Sequence, residues 1–167
     1  MRMMLMIVGG LVAVMVVAGA ALYLWGATLP ESHTVTVSET VPAAPEQVYD
    51  RIRKAGEHTK WRSGLKSVQV VDAERWVEDN DGGKMPLRVL EAAAPSKLVV
   101  KIDTEELPFE GVWTYLLRPD TGGTRVEITE QGRVKSAVFR AMGRLFFPPD
   151  QTAKTYLADL KRSFGGR

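Results

Sequence analysis

The chain of 167 residues contains no cysteine and only two histidines, His33 and His58. Without cysteine the protein has neither a disulfide nor a thiol nucleophile. The histidines do not have a metal-ligand spacing such as HExxH, so the sequence predicts no metal site and indicates no cofactor. A chain without disulfides is as typical of a cytosolic domain as of an exported bacterial one.

Charge of one sign is also lacking, because 22 Lys and Arg residues face 20 Asp and Glu residues, for a net charge of +2. A nucleic-acid binder needs a concentrated basic surface to neutralise phosphates, so we expect no nucleic-acid partner. The length leaves room for one ordinary domain and a short additional segment, but not for two domains.

An N-terminal run without any charge is the clearest feature of the sequence. No charged residue occurs between Met3 and Trp25, and nearly every position there is apolar. At about 1.5 Å per helical residue, the run matches the roughly 30 Å hydrocarbon core of a bilayer. We therefore predict a transmembrane anchor at residues 1–26, a linker at 27–32 and a soluble domain at 33–167.

A cleaved signal peptide is the alternative, since Ala18, Gly19 and Ala20 resemble a cleavage site. The apolar run continues past that site, however, and exceeds the roughly 7–15 apolar residues typical of a signal. Arg2 and the terminal amine precede the run, and the next basic residue is Arg51. The positive-inside rule then predicts a single-pass membrane protein with a cytoplasmic N-terminus and an extracytoplasmic domain.

The soluble part begins with strand-like alternation at Val35, Val37 and Val41, followed by helical spacing over residues 46–53. Six further strands are predicted at 66–71, 75–78, 84–90, 97–103, 110–118 and 124–131, with Gly- and Asp-rich turns between several of them. The order indicates an α+β fold in which a final helix covers one face of an antiparallel sheet.

The C-terminal helical region has two apolar stripes, separated by Pro148 and Pro149, which must interrupt the helix. We expect both stripes to pack as helix faces. The first stripe consists of Val138, Ala141, Met142, Leu145 and Phe146, and the second of Ala153, Tyr156, Leu157, Leu160 and Phe164.

Five segments together resemble the START-like (SRPBCC) superfamily, in particular its polyketide cyclase/dehydrase-like branch. They are VPAAPEQVYDRI at 41–52, WRSGLKSVQVV at 61–71, GVWTYLLRPDTGGTRVEITEQGRV at 111–134, FRAMGRLF at 139–146 and YLADL at 156–160. The resemblance implies a helix-grip fold, in which a curved antiparallel sheet wraps around a long C-terminal helix. It also implies an apolar cavity for a lipid, sterol, quinone, polyketide or hormone, and enzymatic activity in some members. The paired prolines depart from a continuous final helix.

Apolar side chains on the strands and the final helix provide material for such a cavity, although they equally suit a filled core. The candidate ligand-binding residues are Trp61, Trp76, Met85, Leu87, Leu98, Val100, Phe109, Trp113, Tyr115, Val126, Ile128, Phe139, Met142 and Phe146.

Two residues are catalytic candidates. Glu130 is in phase with Val126 and Ile128, so it can point inward as an acid or base, or it can pair with a cation such as Arg118 or Arg133. His58 is a possible general base, although a surface position is the alternative.

Three functions follow. The first is a membrane-anchored domain that binds a hydrophobic small molecule without catalysis, the bilayer supplying the ligand. The second is a cyclase- or hydrolase-type enzyme that uses a cavity carboxylate. The third is a partner-interaction domain with a filled core.

Overall fold

The computed structural model describes residues 2–146 and 148–166. An apolar helix comes first, a strand and two short helices follow, and six strands and two helices complete the chain. The elements are α1 (Arg2–Thr28), β1 (Ser32–Val41), α2 (Pro45–Arg53), a 3₁₀ helix (Ala55–Lys60), β2 (Leu65–Val70), β3 (Arg75–Asn80), β4 (Gly83–Ala93), β5 (Lys97–Ile102), β6 (Phe109–Asp120), β7 (Gly123–Val134), α3 (Ala137–Phe146) and α4 (Gln151–Arg162).

All seven strands form one antiparallel sheet in the order β1-β7-β6-β5-β4-β3-β2. Consecutive strands from β2 to β7 are neighbours, whereas β1 joins the sheet beside β7. Bulges interrupt the register in β2 and β4, and such bulges bend the strand that carries them. The predicted α+β class and helix-grip architecture are therefore confirmed.

The helices α2 and α4 cover the inner face of the sheet. Alternation along β6 and β7 turns every second side chain toward them, so Leu117 and Ile128 are almost fully buried. Leu157 and Leu160 of α4 complete this core. Each fully buried side chain of this size contributes roughly 1.5–3 kcal/mol to folding.

The expectation that α3 packs its apolar stripe as a helix face against the domain is wrong. Its buried residues are Ala137 and Ala141, whereas Met142, Leu145 and Phe146 are exposed. The prolines at 148 and 149 separate α3 from α4, and of these two helices it is α4 that lies across the sheet.

The side of α3 that carries the small residues Ala137 and Ala141 packs against the end of α1. Gly26 is buried there, and a side chain at this position would collide with the Ala137 carbonyl oxygen. Arg140 stabilises the contact, because its Nε donates a hydrogen bond to the Gly26 carbonyl oxygen at 2.9 Å. The helix α1 continues two residues into the predicted linker, and β1 begins at Ser32.

Candidate functional site

A small cavity of ≈ 60 Å³ lies between α4 and the inner face of the sheet. We call it the inner cavity. Ala153 and Tyr156 bound it from α4, while β3 to β7 supply most of the remaining wall. The lining residues are Ile52, His58, Arg62, Trp76, Glu78, Met85, Leu87, Leu98, Val100, Trp113, Tyr115, Ile128, Thr152, Ala153 and Tyr156.

One end of the inner cavity is polar and centres on Glu78, whose side chain is 1% exposed. Its Oε1 accepts from Arg62 Nη1 at 2.5 Å and from Trp76 Nε1 at 3.1 Å. The second oxygen, Oε2, is buried and has no hydrogen-bond partner among the described residues. A buried acceptor without a partner is costly, so Oε2 is the atom of this site best placed to receive a ligand's hydrogen bond.

His58 supports the same carboxylate from the 3₁₀ helix. Its Nε2 lies 2.9 Å from the Ile52 carbonyl oxygen, and because a carbonyl only accepts, Nε2 carries a proton. Its Nδ1 lies 3.3 Å from Glu78 Oε1 and 3.4 Å from Arg62 Nη1. The ring therefore accepts from Arg62 when neutral and donates to Glu78 when protonated.

The electrostatics keep this carboxylate ionised. Burial alone raises the pKa of the Glu78 carboxyl, but a hydrogen bond from the protonated His58 ring, the charge of Arg62 and the hydrogen bond from Trp76 outweigh it, and the pKa falls below its ordinary value. Burial also disfavours the charged form of Arg62 and lowers its pKa, but the negative charge of Glu78 outweighs that effect, so the pKa of Arg62 is raised. The cavity therefore holds a fixed, buried ion pair.

Aromatic side chains surround the ion pair. The Arg62 guanidinium carbon lies 4.9 Å from the centre of the Tyr156 ring, and Trp61 meets that ring edge-on at 5.2 Å. The centres of the Tyr115 and Tyr156 rings lie 5.5 Å apart. Burial raises the pKa of both tyrosines, so their hydroxyls stay protonated and can donate hydrogen bonds at neutral pH.

A second depression, which we call the outer groove, has a volume of ≈ 520 Å³ and lies where α1 ends and α3 passes β7. Thr152 lines both this groove and the inner cavity. Its lining residues are Leu29, Pro30, Glu31, Ser32, His33, Glu130, Val134, Phe139, Arg140, Gly143, Arg144, Pro148, Pro149 and Thr152.

Glu130 points inward, on the same side of β7 as Ile128, and its side chain is 14% exposed. The basic side chain beside it is His33, whose Nε2 lies 3.7 Å from Glu130 Oε1, rather than Arg118 or Arg133. Arg133 instead pairs with Glu31 at 2.9 Å. The approach of His33 depends on Gly132, where any side chain would overlap the imidazole.

The structure brings eight of the fourteen candidate ligand-binding residues into the wall of the inner cavity. The eight are Trp76, Met85, Leu87, Leu98, Val100, Trp113, Tyr115 and Ile128. Trp61 and Phe109 pack partly buried at the edge of the core, and Val126 is buried within it.

The three candidates on α3 lie elsewhere. Phe139 lines the outer groove, while Met142 and Phe146 are exposed. Their placement in the cavity was wrong because α3 turns its alanines, and not these side chains, toward the rest of the protein. The expectation that His58 lies at the surface is wrong, because its side chain is 3% exposed.

Arg62 and Glu78 were missed as site residues. A signal for Glu78 existed, because it lies two positions after Trp76 in a strand and must share its face. Arg62 follows an irregular segment, and no periodicity indicates its direction.

Comparison with known proteins places this arrangement within one class. The sheet and helices define a helix-grip domain with an apolar interior. Residues 32–164 match the family described as "Polyketide cyclase / dehydrase and lipid transport", and the chain belongs to that family. No curated protein matches the sequence significantly.

Solved structures share the fold at low sequence identity. A START superfamily protein from Mycobacterium smegmatis is 14% identical, with 80% of this chain and 97% of that one covered and a TM-score of 0.62. A protein from Thermus thermophilus is 21% identical. The match covers 78% of this chain and 95% of that one, with a TM-score of 0.64. The di-domain ARO/CYC BexL from the BE-7585A biosynthetic pathway is 13% identical. The match covers 86% of this chain and 53% of that one, with a TM-score of 0.65.

Proposed function

We propose that this protein is a membrane-anchored domain that binds an apolar small molecule between its sheet and α4, without catalysing a reaction on it. The observation that carries the proposal is the inner cavity, whose apolar wall has one polar end at Arg62 and Glu78. Ligand sites commonly combine an apolar lining with a few placed polar groups. The family description, which includes lipid transport, supports the same class of ligand.

The cavity must enlarge to hold such a ligand. Its ≈ 60 Å³ compares with the roughly 300–1,000 Å³ of pockets that enclose drug-sized molecules. Thr152, in the first turn of α4, separates it from the outer groove. Outward displacement of this turn joins the two spaces and opens a path from the groove to Glu78.

The polar end defines which group of the ligand lies innermost. Ionised Glu78 only accepts hydrogen bonds, and its Oε2 is without a partner among the described residues. The best-matched ligand is therefore an apolar molecule with a hydroxyl group at one end, such as a hydroxylated lipid, a quinol or a polyketide-like phenol.

The helix α1 supports anchoring in the bilayer. The described part of the chain contains one helix long and apolar enough to span a membrane, Val8–Thr28, although a signal sequence passes the same test. Anchoring with the N-terminus in the cytoplasm keeps the cavity beside a reservoir of apolar molecules, which raises their effective concentration.

Tryptophan fluorescence tests the binding proposal. Substituting Trp25→Phe leaves only Trp61, Trp76 and Trp113, all in or beside the cavity wall. We expect 9,10-dibromooctadecan-1-ol, whose hydroxyl can donate to Glu78, to quench this variant to saturation when it is added to the full chain in nanodiscs. Adding Ala153→Leu, which fills the cavity, removes the saturable quenching, whereas Lys154→Leu on the exposed side of α4 leaves it unchanged. Equal quenching in all three variants would contradict the proposal.

The second candidate is a cyclase- or hydrolase-type reaction that uses Glu130. The observation favouring it is the inward carboxylate beside His33 at the outer groove. A hydrolase assay with short-chain aryl esters tests it directly. Loss of turnover in Glu130→Gln, with Glu127→Gln on the other face of β7 as the control, would support catalysis. Absence of turnover in the unmodified chain would eliminate this candidate for that substrate class.

A further inference from the structure

The helix α3 carries a concentrated exposed apolar face. Val138, Phe139, Met142, Leu145 and Phe146 are between 39% and 62% exposed. Among the residues whose side chains are described, they are five of the eight large exposed apolar residues outside α1. At about 100° per residue, all five fall within about 120° of the helix circumference. A contiguous face of this kind marks an interaction surface.

The position of α3 indicates which partner covers this face. Its first two turns pack against Gly26, immediately after Trp25 and near the end of the Val8–Thr28 span. If α1 crosses the bilayer, α3 starts at the level of the headgroups on the side from which the domain emerges. The apolar face is thereby continuous with a surface that already meets lipid.

The opposite side of the helix suits the same location. Arg140 uses its guanidinium to hold α3 in place, donating to the Gly26, Val134 and Lys135 carbonyl oxygens at 2.9–3.1 Å. Arg144, one turn later, is exposed. Arg144 therefore supplies an exposed basic group away from the apolar face, which suits a segment that lies in the plane of the bilayer surface.

We propose that α3 is an interfacial helix, with its exposed face inserted among the lipids of the bilayer that α1 spans. The inference rests on the anchoring proposed above. Because Phe139, Arg140 and Arg144 also line the outer groove, insertion of α3 places that groove at the lipid surface. An apolar ligand then passes from the bilayer into the groove without crossing water.

The absence of cysteine allows a clean test by single-cysteine labelling. Full-length Phe146→Cys and Leu145→Cys, each carrying an NBD fluorophore, are reconstituted into phosphatidylcholine/phosphatidylglycerol vesicles containing doxyl-labelled lipid. Arg144→Cys is the matched control on the same helix. Thr121→Cys, in the turn at the far end of the β6–β7 hairpin, is the solvent control. Leu11→Cys reports separately on α1.

We expect doxyl lipid to quench the labels at 145 and 146 at least about threefold more than the label at Thr121, with Arg144 intermediate. Quenching at Leu11 without quenching at 145 and 146 would overturn the α3 proposal and leave the anchor intact. No quenching at Leu11 would overturn anchoring itself, and with it this inference. Labels at 145 and 146 that resist both doxyl lipid and aqueous iodide, together with a disulfide between chains in the unlabelled Phe146→Cys protein, would identify a second copy as the partner and would also overturn the proposal.

Discussion

Glu78, whose side chain is 1% exposed, accepts a hydrogen bond from Arg62 Nη1 at 2.5 Å. The pair forms the polar end of a cavity that is otherwise apolar. Burying two charges costs free energy that their attraction offsets only when the geometry is good, and removing one partner exposes the full cost for the other. The pair therefore affects both the stability and the ligand preference of the domain.

Substitution of Glu78 by Gln is expected to destabilise the fold. The amide keeps the size of the side chain but removes the charge that compensates Arg62. We expect a loss of about 3 kcal/mol in the free energy of unfolding. This is the lower end of the roughly 3–5 kcal/mol that removing one partner of a buried ion pair costs, because Arg62 is 17% exposed. Urea unfolding of the domain monitored by circular dichroism measures it. Glu57→Gln, whose carboxylate is 48% exposed and pairs with Lys60, is the control and should cost under about 0.5 kcal/mol.

The same carboxylate predicts an acid-dependent term in stability. Because the folded-state pKa of Glu78 lies below its ordinary value of 4.5, the unfolded chain takes up the proton first as the pH falls. The stabilisation by Glu78 is complete above about pH 5 and is lost as the pH falls through the folded pKa. The difference in unfolding free energy between wild type and Glu78→Gln should accordingly shrink below pH 4.5. A difference that grows on acidification would show that the pKa is raised instead.

Asp159 ties α4 to the segment that follows the 3₁₀ helix. Its Oδ2 accepts from the Ser63 backbone N–H at 2.6 Å and from the Ser63 hydroxyl at 2.7 Å, and the side chain is 2% exposed. We expect Asp159→Ala to cost about 2 kcal/mol, since both donors lose their acceptor. Ser63→Ala should cost less, because the backbone donor remains. Chemical denaturation of both single variants and the double variant gives the coupling, and additive effects would refute the contact.

The junction of α1 and α3 depends on the lack of a side chain at Gly26. Replacement by Leu forces the Ala137 backbone away, so we expect faster hydrogen exchange in the α3 amides. Gly19→Leu is the matched control, because nothing lies within 4 Å of a side-chain carbon at that position. Mass spectrometry of the exchanged peptides distinguishes the two variants. Unchanged protection of α3 in Gly26→Leu would contradict the observed packing.

Much of the fold follows from the sequence because strand alternation and turn residues are local signals. Val35 and Val37 in β1 and the Gly-rich turn before β7 are examples, and Pro148 correctly predicts the break between α3 and α4. The direction of the α3 stripe does not follow, since an amphipathic pattern is the same whether its apolar face meets a sheet or lies exposed.

The site was less predictable for a similar reason. The approach of Arg62 to Glu78 joins residues sixteen positions apart through tertiary packing, and no local pattern encodes it. The pairing of His33 with Glu130 depends on the register of β1 against β7 and on the space above Gly132. By contrast, eight candidate residues line the inner cavity because period-two alternation fixes which side chains share a face.

Native mass spectrometry with solvent-extract analysis tests the central claim most directly. The full chain is taken from native membranes into nanodiscs, and its bound small molecules are compared with those of Ala153→Leu. We expect one class of apolar, hydroxyl-bearing compound near one per chain in the wild type, and its loss in the variant. Identical bulk lipid in both preparations, with no enriched compound, would contradict a ligand site between the sheet and α4.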